Sequence, residues 1–216
     1  MRSRKKMKAI LWLGGISIFF VCALPLYTSI SKQRTAAVRT WALGNVRQMG
    51  ISLFEFDARY GRFPDATTAA KVKADTGTAL TLGGATSNEV FRQLIAYGLK
   101  SEKPFYAEIA GSKKPDDRYH DDAHALVPGE VGFAYIAGLD SSADPGTPII
   151  VSPLIPGTTL FDPKPFGGRA VILRLDNSAA PLPIDPAGRV LLGGKDIFDP
   201  SQPFWKGKTP DIKWQE

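Results

Sequence analysis

The hydrophobic pattern at the start of the chain predicts one long helix with two different halves. Residues 9–30 contain no charged side chain. In a helix this stretch would measure roughly 33 Å, enough to cross the hydrocarbon core of a bilayer. Residues 31–60 follow without a strong turn signal and place apolar side chains three or four positions apart. We therefore predict a transmembrane helix over 9–30 and its amphipathic continuation over 31–60.

The apolar face of the second half is expected to pack mainly on the chain's own soluble domain. Its members are Val38, Ala42, Val46, Met49, Leu53, Phe56 and Tyr60. In the first half Pro25 interrupts the span, and proline within a membrane helix produces a kink, so we expect a bend there. The candidate positions for helix packing and assembly are Ile16, Phe20, Pro25, Val46, Met49, Leu53 and Phe56.

After residue 60 the pattern changes to short elements. Residues 61–86 are rich in Ala, Thr and Gly and are predicted to form an irregular connection. A short helix is expected to begin at a cap on Ser87 or Asn88 and to stop near Gly98. The β-type runs that follow are Phe105–Ile109, Val131–Ile136, Pro148–Val151, Arg169–Leu175 and Arg189–Leu192. Few helix-length segments separate them, so we predict an antiparallel sheet and an α+β fold class.

Turn and proline signals complete this picture of the soluble domain, residues 61–216. Asp176-Asn177 and Pro186-Ala187-Gly188 are predicted hairpin turns. Prolines crowd residues 145–210, so the C-terminal tail is expected to be irregular around 199–205. Trp205 and Trp214 are expected to pin that tail to the domain.

The positive charge of the chain is concentrated at its N-terminal end. Of the 216 residues, 1–59 carry 10 Lys and Arg against 2 acids, whereas 60–216 carry 17 against 19. The basic balance therefore belongs to the anchor and does not indicate a nucleic-acid partner. Five of the first eight residues are basic, and such residues stay on the cytoplasmic side of a span. Residues 1–8 are thus predicted to be a cytoplasmic stub, and 61–216 to lie outside the cytoplasm.

A cleaved secretory signal is the competing interpretation of the N-terminal region. Ser29-Ile30-Ser31 could serve as its cleavage site, although signal cores are usually about 7–15 residues and this apolar stretch is longer. The single cysteine, Cys22, lies within the stretch, so an intramolecular disulfide is excluded. The soluble domain must then be stabilised by packing.

Several short motifs resemble those of type IV pilins and of the pseudopilins of type II secretion systems. Ala23-Leu24-Pro25-Leu26-Tyr27 is similar to the end of their apolar span, and Asn45–Gly50 to a run within their first helix. Tyr60–Pro64 is similar to the exit from that helix, and Phe166–Ser178 to a glycine-led strand with its turn. The resemblance implies a pilin-like fold, in which the long helix packs on a small antiparallel sheet domain.

The leader region departs from that family. Met7–Trp12 contains neither the glycine-phenylalanine junction nor the glutamate of the prepilin processing signature. The chain is therefore expected to be pilin-like with a degenerate leader, which stays attached.

The acidic segment 116–124 offers the candidate chemistry. His120 and His124 are four residues apart with Asp121 between them, so on a helix they could bind zinc as in a hydrolase. The alternative is that the segment is a solvent-exposed loop without a metal ion. Carboxylate-rich loops also suit calcium, and the resemblance implies a calcium loop in the C-terminal region. Calcium candidates are Asp116, Asp117, Asp121 and Asp122, or the turn 140–144.

The sequence as a whole predicts a non-enzymatic, single-pass inner-membrane protein with its C-terminal domain in the periplasm. Its partners would be membrane lipid and other pilin-like subunits or the secretion or pilus machinery. No resident cofactor is expected, apart from the possible calcium ion. The alternatives are a secreted periplasmic domain that binds a ligand or glycan, and a zinc-dependent hydrolase.

Overall fold

The computed structural model describes the backbone from residue 2 and the side chains from residue 31 to the end of the chain. The chain divides into two compact units, Met1–Ala37 and Val38–Glu216, and we call the second the main unit. The helices are α1 (Arg2–Tyr60), α2 (Ala69–Thr76) and α3 (Ser87–Tyr97), with 3-10 turns at Lys103–Phe105 and Pro203–Trp205. The strands are β1 (Ala134–Ala137), β2 (Pro148–Ser152), β3 (Arg169–Arg174), β4 (Ala179–Pro183), β5 (Leu191–Leu192), β6 (Lys195–Asp196) and β7 (Asp211–Lys213).

The predicted α+β class and antiparallel sheet are confirmed. Five strands form one sheet in the order β4-β3-β2-β1-β7, and each neighbouring pair is antiparallel. Strands β5 and β6 form a separate antiparallel pair.

Both faces of the five-stranded sheet are buried in the main unit. Along β1, Tyr135 belongs to the core shared with the helices, whereas Ala134 and Ile136 belong to a second core on the opposite face. Because side chains alternate along a strand, the two cores lie on opposite sides of the sheet. Helix residues cover the first face. The C-terminal segment, with Trp205 and Phe198, covers the second.

The end of α1 explains one of the family-like motifs. Gly61 follows Tyr60 with a φ of 79°, and its amide donates to the Asp57 carbonyl at 2.7 Å. This left-handed conformation favours glycine and ends the helix. Two residues later Phe63 turns into the core with 1% of its surface exposed. The glycine thus ends the helix, and burial of the phenylalanine holds the chain that follows it against the core.

The cap of helix α3 lies one residue before the first predicted position. Thr86 is the N-cap, and its hydroxyl oxygen accepts from the Glu89 amide at 3.3 Å. The expected cap at Ser87 or Asn88 is therefore wrong, because Ser87 is already helical and Asn88 binds elsewhere. The Asn88 amide donates to the Leu126 carbonyl at 2.9 Å. The stop at Gly98 is confirmed.

Three element predictions were wrong where tertiary contacts decided the conformation. Residues 61–86 are not wholly irregular, because α2 forms there around the fully buried Val72. The run 105–109 is not a strand, since a 3-10 turn ends at Phe105 and the chain then continues without a ladder. The tail is partly regular, with a 3-10 turn at Pro203–Trp205 and strand β7.

Other predictions were confirmed in detail. Asn177 has a φ of 60° in the β3–β4 hairpin, and the Asp176 carboxylate accepts the Ser178 amide at 2.8 Å. Gly188 likewise has a positive φ, in the turn that the bridge between Ile184 and Val190 closes. Both tryptophans fasten the tail, as expected. The indole of Trp205 donates to the Ile197 carbonyl at 2.6 Å, and that of Trp214 to the Thr158 carbonyl at 2.8 Å.

Candidate functional site

The inner face of α1 within the main unit belongs to the domain's own core. Val46, Met49, Leu53 and Phe56 each expose 0–1% of their surface. The Phe56 ring lies 4.4 Å from the Tyr60 ring and 5.7 Å from the Tyr97 ring of α3, between centroids. These four candidate positions therefore pack on their own domain and are inaccessible to a second protein.

Polar contacts lock the same helix in place. Asn45 donates from its amide to the carbonyls of Lys103 at 3.1 Å and Tyr106 at 2.8 Å. Arg39 donates to the Phe166 carbonyl at 3.0 Å. An asparagine that satisfies two main-chain carbonyls fixes both the register and the rotation of the helix. Asn45, the first residue of the motif, thus fixes α1 to the segment 103–106.

Gly50 is the point of closest approach between α1 and the sheet. A Cβ atom added there would overlap Oδ1 of Asn177 and lie 3.2 Å from Cδ2 of Leu173. At Gly44, by contrast, an added Cβ atom would meet nothing within 4 Å beyond the neighbouring backbone of its own helix. The helix can therefore rest against the β3–β4 turn only because residue 50 has no side chain.

The outer face of α1 carries large apolar side chains in water. Trp41 exposes 71% of its surface and Ile51 exposes 54%. Together with the exposed Gly44, Gln48 and Glu55 they form a stripe at helical spacing, which we call the outer stripe. Exposed tryptophan is common where proteins contact one another. The outer stripe is an accessible surface on the described part of α1.

The predictions for the first half of α1 lie outside the described side chains. They concern the basic stub, the span 9–30 and the candidate positions Ile16, Phe20 and Pro25. Among the residues that the structure describes, no helix combines the length and apolar character required to cross a membrane.

The acidic segment does not have the geometry that the zinc pattern requires. His120 and His124 lie in a region of turns, and within the described range 106–133 no helix is present to place them on one face. Nδ1 of His124 contacts Oδ1 of Asp121 at 2.7 Å, while the His120 ring packs on Tyr119 with 4.4 Å between centroids. Each histidine has its own local partner.

The four aspartates proposed for calcium also diverge. Asp117 accepts hydrogen bonds from the Glu102 amide and the Ser101 hydroxyl, both at 2.9 Å. The Glu102 amide, together with Lys103 and Ser101, lowers the pKa of Asp117. Asp122 accepts the amide of Thr81 at 2.7 Å and its hydroxyl as well, which lowers the pKa of that carboxyl.

Asp121 is occupied by His124, and hydrogen bonding to that ring lowers its pKa. The other candidate, the turn 140–144, is closed by Asp140, which accepts the Ser142 amide at 2.8 Å. Asp116 alone of the four joins other acids. It lies beside Glu102 and Glu130, which the sequence did not single out because neither belongs to the acidic run.

A cleft of about 570 Å³ lies between the segment 109–113 and the loop 153–156. Apolar residues such as Ile109, Val131 and Leu154 line it, and Gln215 of the C-terminal segment lines it as well. Oε1 of Gln215 is buried and has no hydrogen-bond partner among the described residues. The size falls within the usual range of small-molecule pockets.

Comparison of the chain with protein-family models, curated proteins and solved structures gives no match.

Proposed function

We propose that the chain is a membrane-anchored, pilin-like structural component of a type II secretion or type IV pilus-type assembly. It would act by protein–protein packing, with its N-terminus in the cytoplasm and its C-terminal domain in the periplasm. The observation that supports this most is the 59-residue helix α1, whose last part forms one side of an antiparallel sheet domain. The charge-free stretch 9–30 behind five basic residues adds support for the anchor.

In this proposal the two faces of α1 have different roles. The inner face is buried in the domain, so contacts with other subunits would use the outer stripe and the apolar span. Small Gly44 between exposed Trp41 and Ile51 would let a second helix approach closely. Within the bilayer, Ile16 and Phe20 would make the corresponding lateral contacts. Partners are thus lipid and pilin-like subunits, without an enzymatic step or a nucleic acid.

Cysteine crosslinking in native membranes tests the lateral contacts. Cys22 is replaced by Ala, and single cysteines are introduced at Ile16, Phe20, Trp41 or Ile51. We expect crosslinks to a second copy or to another subunit from these positions. A cysteine at exposed Lys206, in the C-terminal segment, is the matched control and should crosslink weakly. Monomeric behaviour at all four positions would contradict the proposal.

The mature N-terminus separates this proposal from its alternative. Mass spectrometry of the protein from its native membrane should find an intact start at Met1 or Arg2. A start near Lys32 would mean signal cleavage and remove the anchor.

The cleft of about 570 Å³ favours a second candidate function, a periplasmic domain that binds a small ligand. Its apolar walls and the unpaired Gln215 oxygen would suit a largely apolar molecule with one hydrogen-bond donor. This candidate requires a mature start near Lys32 and a ligand-dependent rise in melting temperature. Gln215→Ala should abolish that rise.

A further inference from the structure

Three acids from separate parts of the chain converge within the main unit. Glu102 precedes the first 3-10 turn, Asp116 lies in the acidic loop, and Glu130 precedes strand β1. One carboxylate oxygen of each lies within 4.8 Å of the others. We call this group the acidic triad.

Two of the three acids are withdrawn from water. Glu102 has 0% of its surface exposed and Glu130 has 5%. Oε1 of Glu102 accepts the Leu126 amide at 2.7 Å, and Oε2 of Glu130 accepts the Val127 amide at 2.9 Å. Both carboxylates are therefore held in fixed orientations by the backbone between them.

The second carboxylate oxygen of Glu102, Oε2, is buried and has no hydrogen-bond partner among the residues that the structure describes. Within the same described part of the chain, no Lys, Arg or His forms an ion pair with a member of the triad. Burying a carboxylate is costly unless it is paired or coordinates a metal. The orphaned oxygen therefore points to a missing positive partner.

Electrostatics agree with this geometry. Burial raises the pKa of Glu102, and the negative charges of Glu130 and Asp116 raise it further. Burial raises the pKa of Glu130 as well, again with a contribution from Asp116. The three carboxylates repel one another, and a divalent cation between them would reverse that repulsion.

We propose that Glu102, Asp116 and Glu130 bind one Ca²⁺ ion. All three ligands are hard carboxylate oxygens, the type that Ca²⁺ prefers, and the group lacks the histidine or cysteine typical of zinc sites. Mg²⁺ usually keeps several waters and is bound by one or two carboxylates, whereas Ca²⁺ accepts more protein oxygens, so a group of three carboxylates favours Ca²⁺. Exposed Asp116 leaves one side open for entry and for water ligands. The ion would tie the segment 102–130 together ahead of β1.

A shared proton is the competing explanation for the same geometry, because a protonated Glu102 could donate to a neighbouring carboxylate. The two explanations differ in their dependence on metal at neutral pH. Calcium would bind the ionised acids and displace any proton. A shared proton would make the site indifferent to calcium.

The test uses the full-length chain, purified in mild detergent, stripped with chelator and returned to pH 7. Thermal unfolding is followed with Ca²⁺, with Mg²⁺ and with chelator, and direct binding is measured by calorimetry and by terbium luminescence. We expect one Ca²⁺ per chain and, at saturating Ca²⁺, a melting temperature raised by roughly 5 °C. Mg²⁺ should raise it distinctly less.

Charge-neutralising variants locate the ion. Glu102→Gln keeps the shape of the side chain and should weaken Ca²⁺ binding at least about tenfold, with loss of the thermal shift. Asp116→Asn, at an exposed position that folding tolerates, should weaken binding too, and serves if Glu102→Gln folds poorly. Asp121→Asn is the matched control in the same segment and should bind Ca²⁺ as the unsubstituted protein does.

Three results would overturn the proposal. One is a melting temperature that responds to pH but not to Ca²⁺, which would establish the shared proton. Another is equal stabilisation by Mg²⁺, which would remove the assignment to calcium. The third is retention of Ca²⁺ binding in both Glu102→Gln and Asp116→Asn. None of these outcomes bears on the membrane anchor.

Discussion

Acidic side chains of this protein fall into two groups according to the partners that surround them. Aspartates in turns accept hydrogen bonds from a nearby serine. The Ser178 hydroxyl and amide lower the pKa of Asp176, and the Ser201 amide and hydroxyl lower the pKa of Asp199. Glu102 and Glu130 are buried, and burial raises their pKa. The two groups should therefore respond to pH in opposite directions.

Glu102→Gln should flatten the pH dependence of stability when metal is absent. The folded-state pKa of Glu102 is raised. Its contribution to the stability of the fold is therefore fully present below about pH 4.3 and is lost as pH rises through the folded pKa. Glutamine still accepts the Leu126 amide, and its NH₂ group can donate to Glu130 or Asp116. We expect the free energy of unfolding of the variant to rise by about 1 kcal/mol at pH 7 in the presence of chelator, as measured by urea denaturation.

Asp176→Asn is the contrasting variant for this experiment. The lowered pKa of Asp176 stabilises the fold above about pH 3.9, and this contribution is lost as pH falls through the folded pKa. The variant should therefore be less stable than the unsubstituted protein at pH 7 and nearly equal to it at pH 2. Parallel pH profiles for the two variants would contradict the assignment.

Helix α1 is the element whose two faces have separate tasks. Its inner face follows the predicted apolar period and is buried, while the outer stripe exposes Trp41 and Ile51. Sequence periodicity identified the inner face because burial repeats with the helical turn. It could not show which helix glycine is required, since that depends on the β3–β4 turn from a distant part of the chain.

Two glycine substitutions in α1 should have opposite signs. Gly44→Ala replaces an exposed helical glycine with open space around it and should stabilise the protein by about 0.5–1 kcal/mol. Gly50→Ala carries the same gain in helix propensity but drives a methyl group into Asn177 and toward Leu173. We expect a net loss of about 1–2 kcal/mol.

Chemical denaturation followed by tryptophan fluorescence measures both variants, each as the control of the other. A gain from Gly50→Ala equal to that from Gly44→Ala would show that the helix does not rest on the turn. A double variant with Asn177→Ala should recover part of the loss, because Oδ1 of Asn177 is the atom in closest conflict.

The main unit as a whole is closed by its C-terminal strand. β7 pairs with β1 at the edge of the sheet, and Ile212 is 8% exposed. The same segment reaches three other places, since Ser87 donates to the Trp214 carbonyl, Gly129 to the Glu216 carbonyl and Gln215 to the Leu154 carbonyl. The end of the chain therefore links α3, the segment before β1 and the loop after β2.

Deletion of residues 211–216 should destabilise the protein by at least ~3 kcal/mol, because it exposes the β1 edge and uncovers buried apolar surface. Trp214→Phe, which keeps most of the apolar contact but loses the bond to Thr158, should cost about 1 kcal/mol. Urea denaturation of the two proteins checks this order. An unchanged midpoint for the deletion would mean that the strand is dispensable.

Local signals in the sequence determined much of this protein. Helical periodicity predicted the amphipathic half of α1, and Gly98 and Asp176-Asn177 predicted a helix stop and a hairpin turn. These features depend on residues near one another in the chain, so they can be predicted without the fold. The α+β class followed from the order and spacing of those elements.

The tertiary structure alone decided the rest. Helix α2 depends on burial of Val72, and strand β7 on an open edge at β1. The acidic triad joins Glu102, Asp116 and Glu130 across intervening elements, whereas the conspicuous run 116–122 sends its other acids to separate partners. Burial and long-range proximity are properties of packing, and packing sets both the pKa of a carboxylate and whether it can share a ligand.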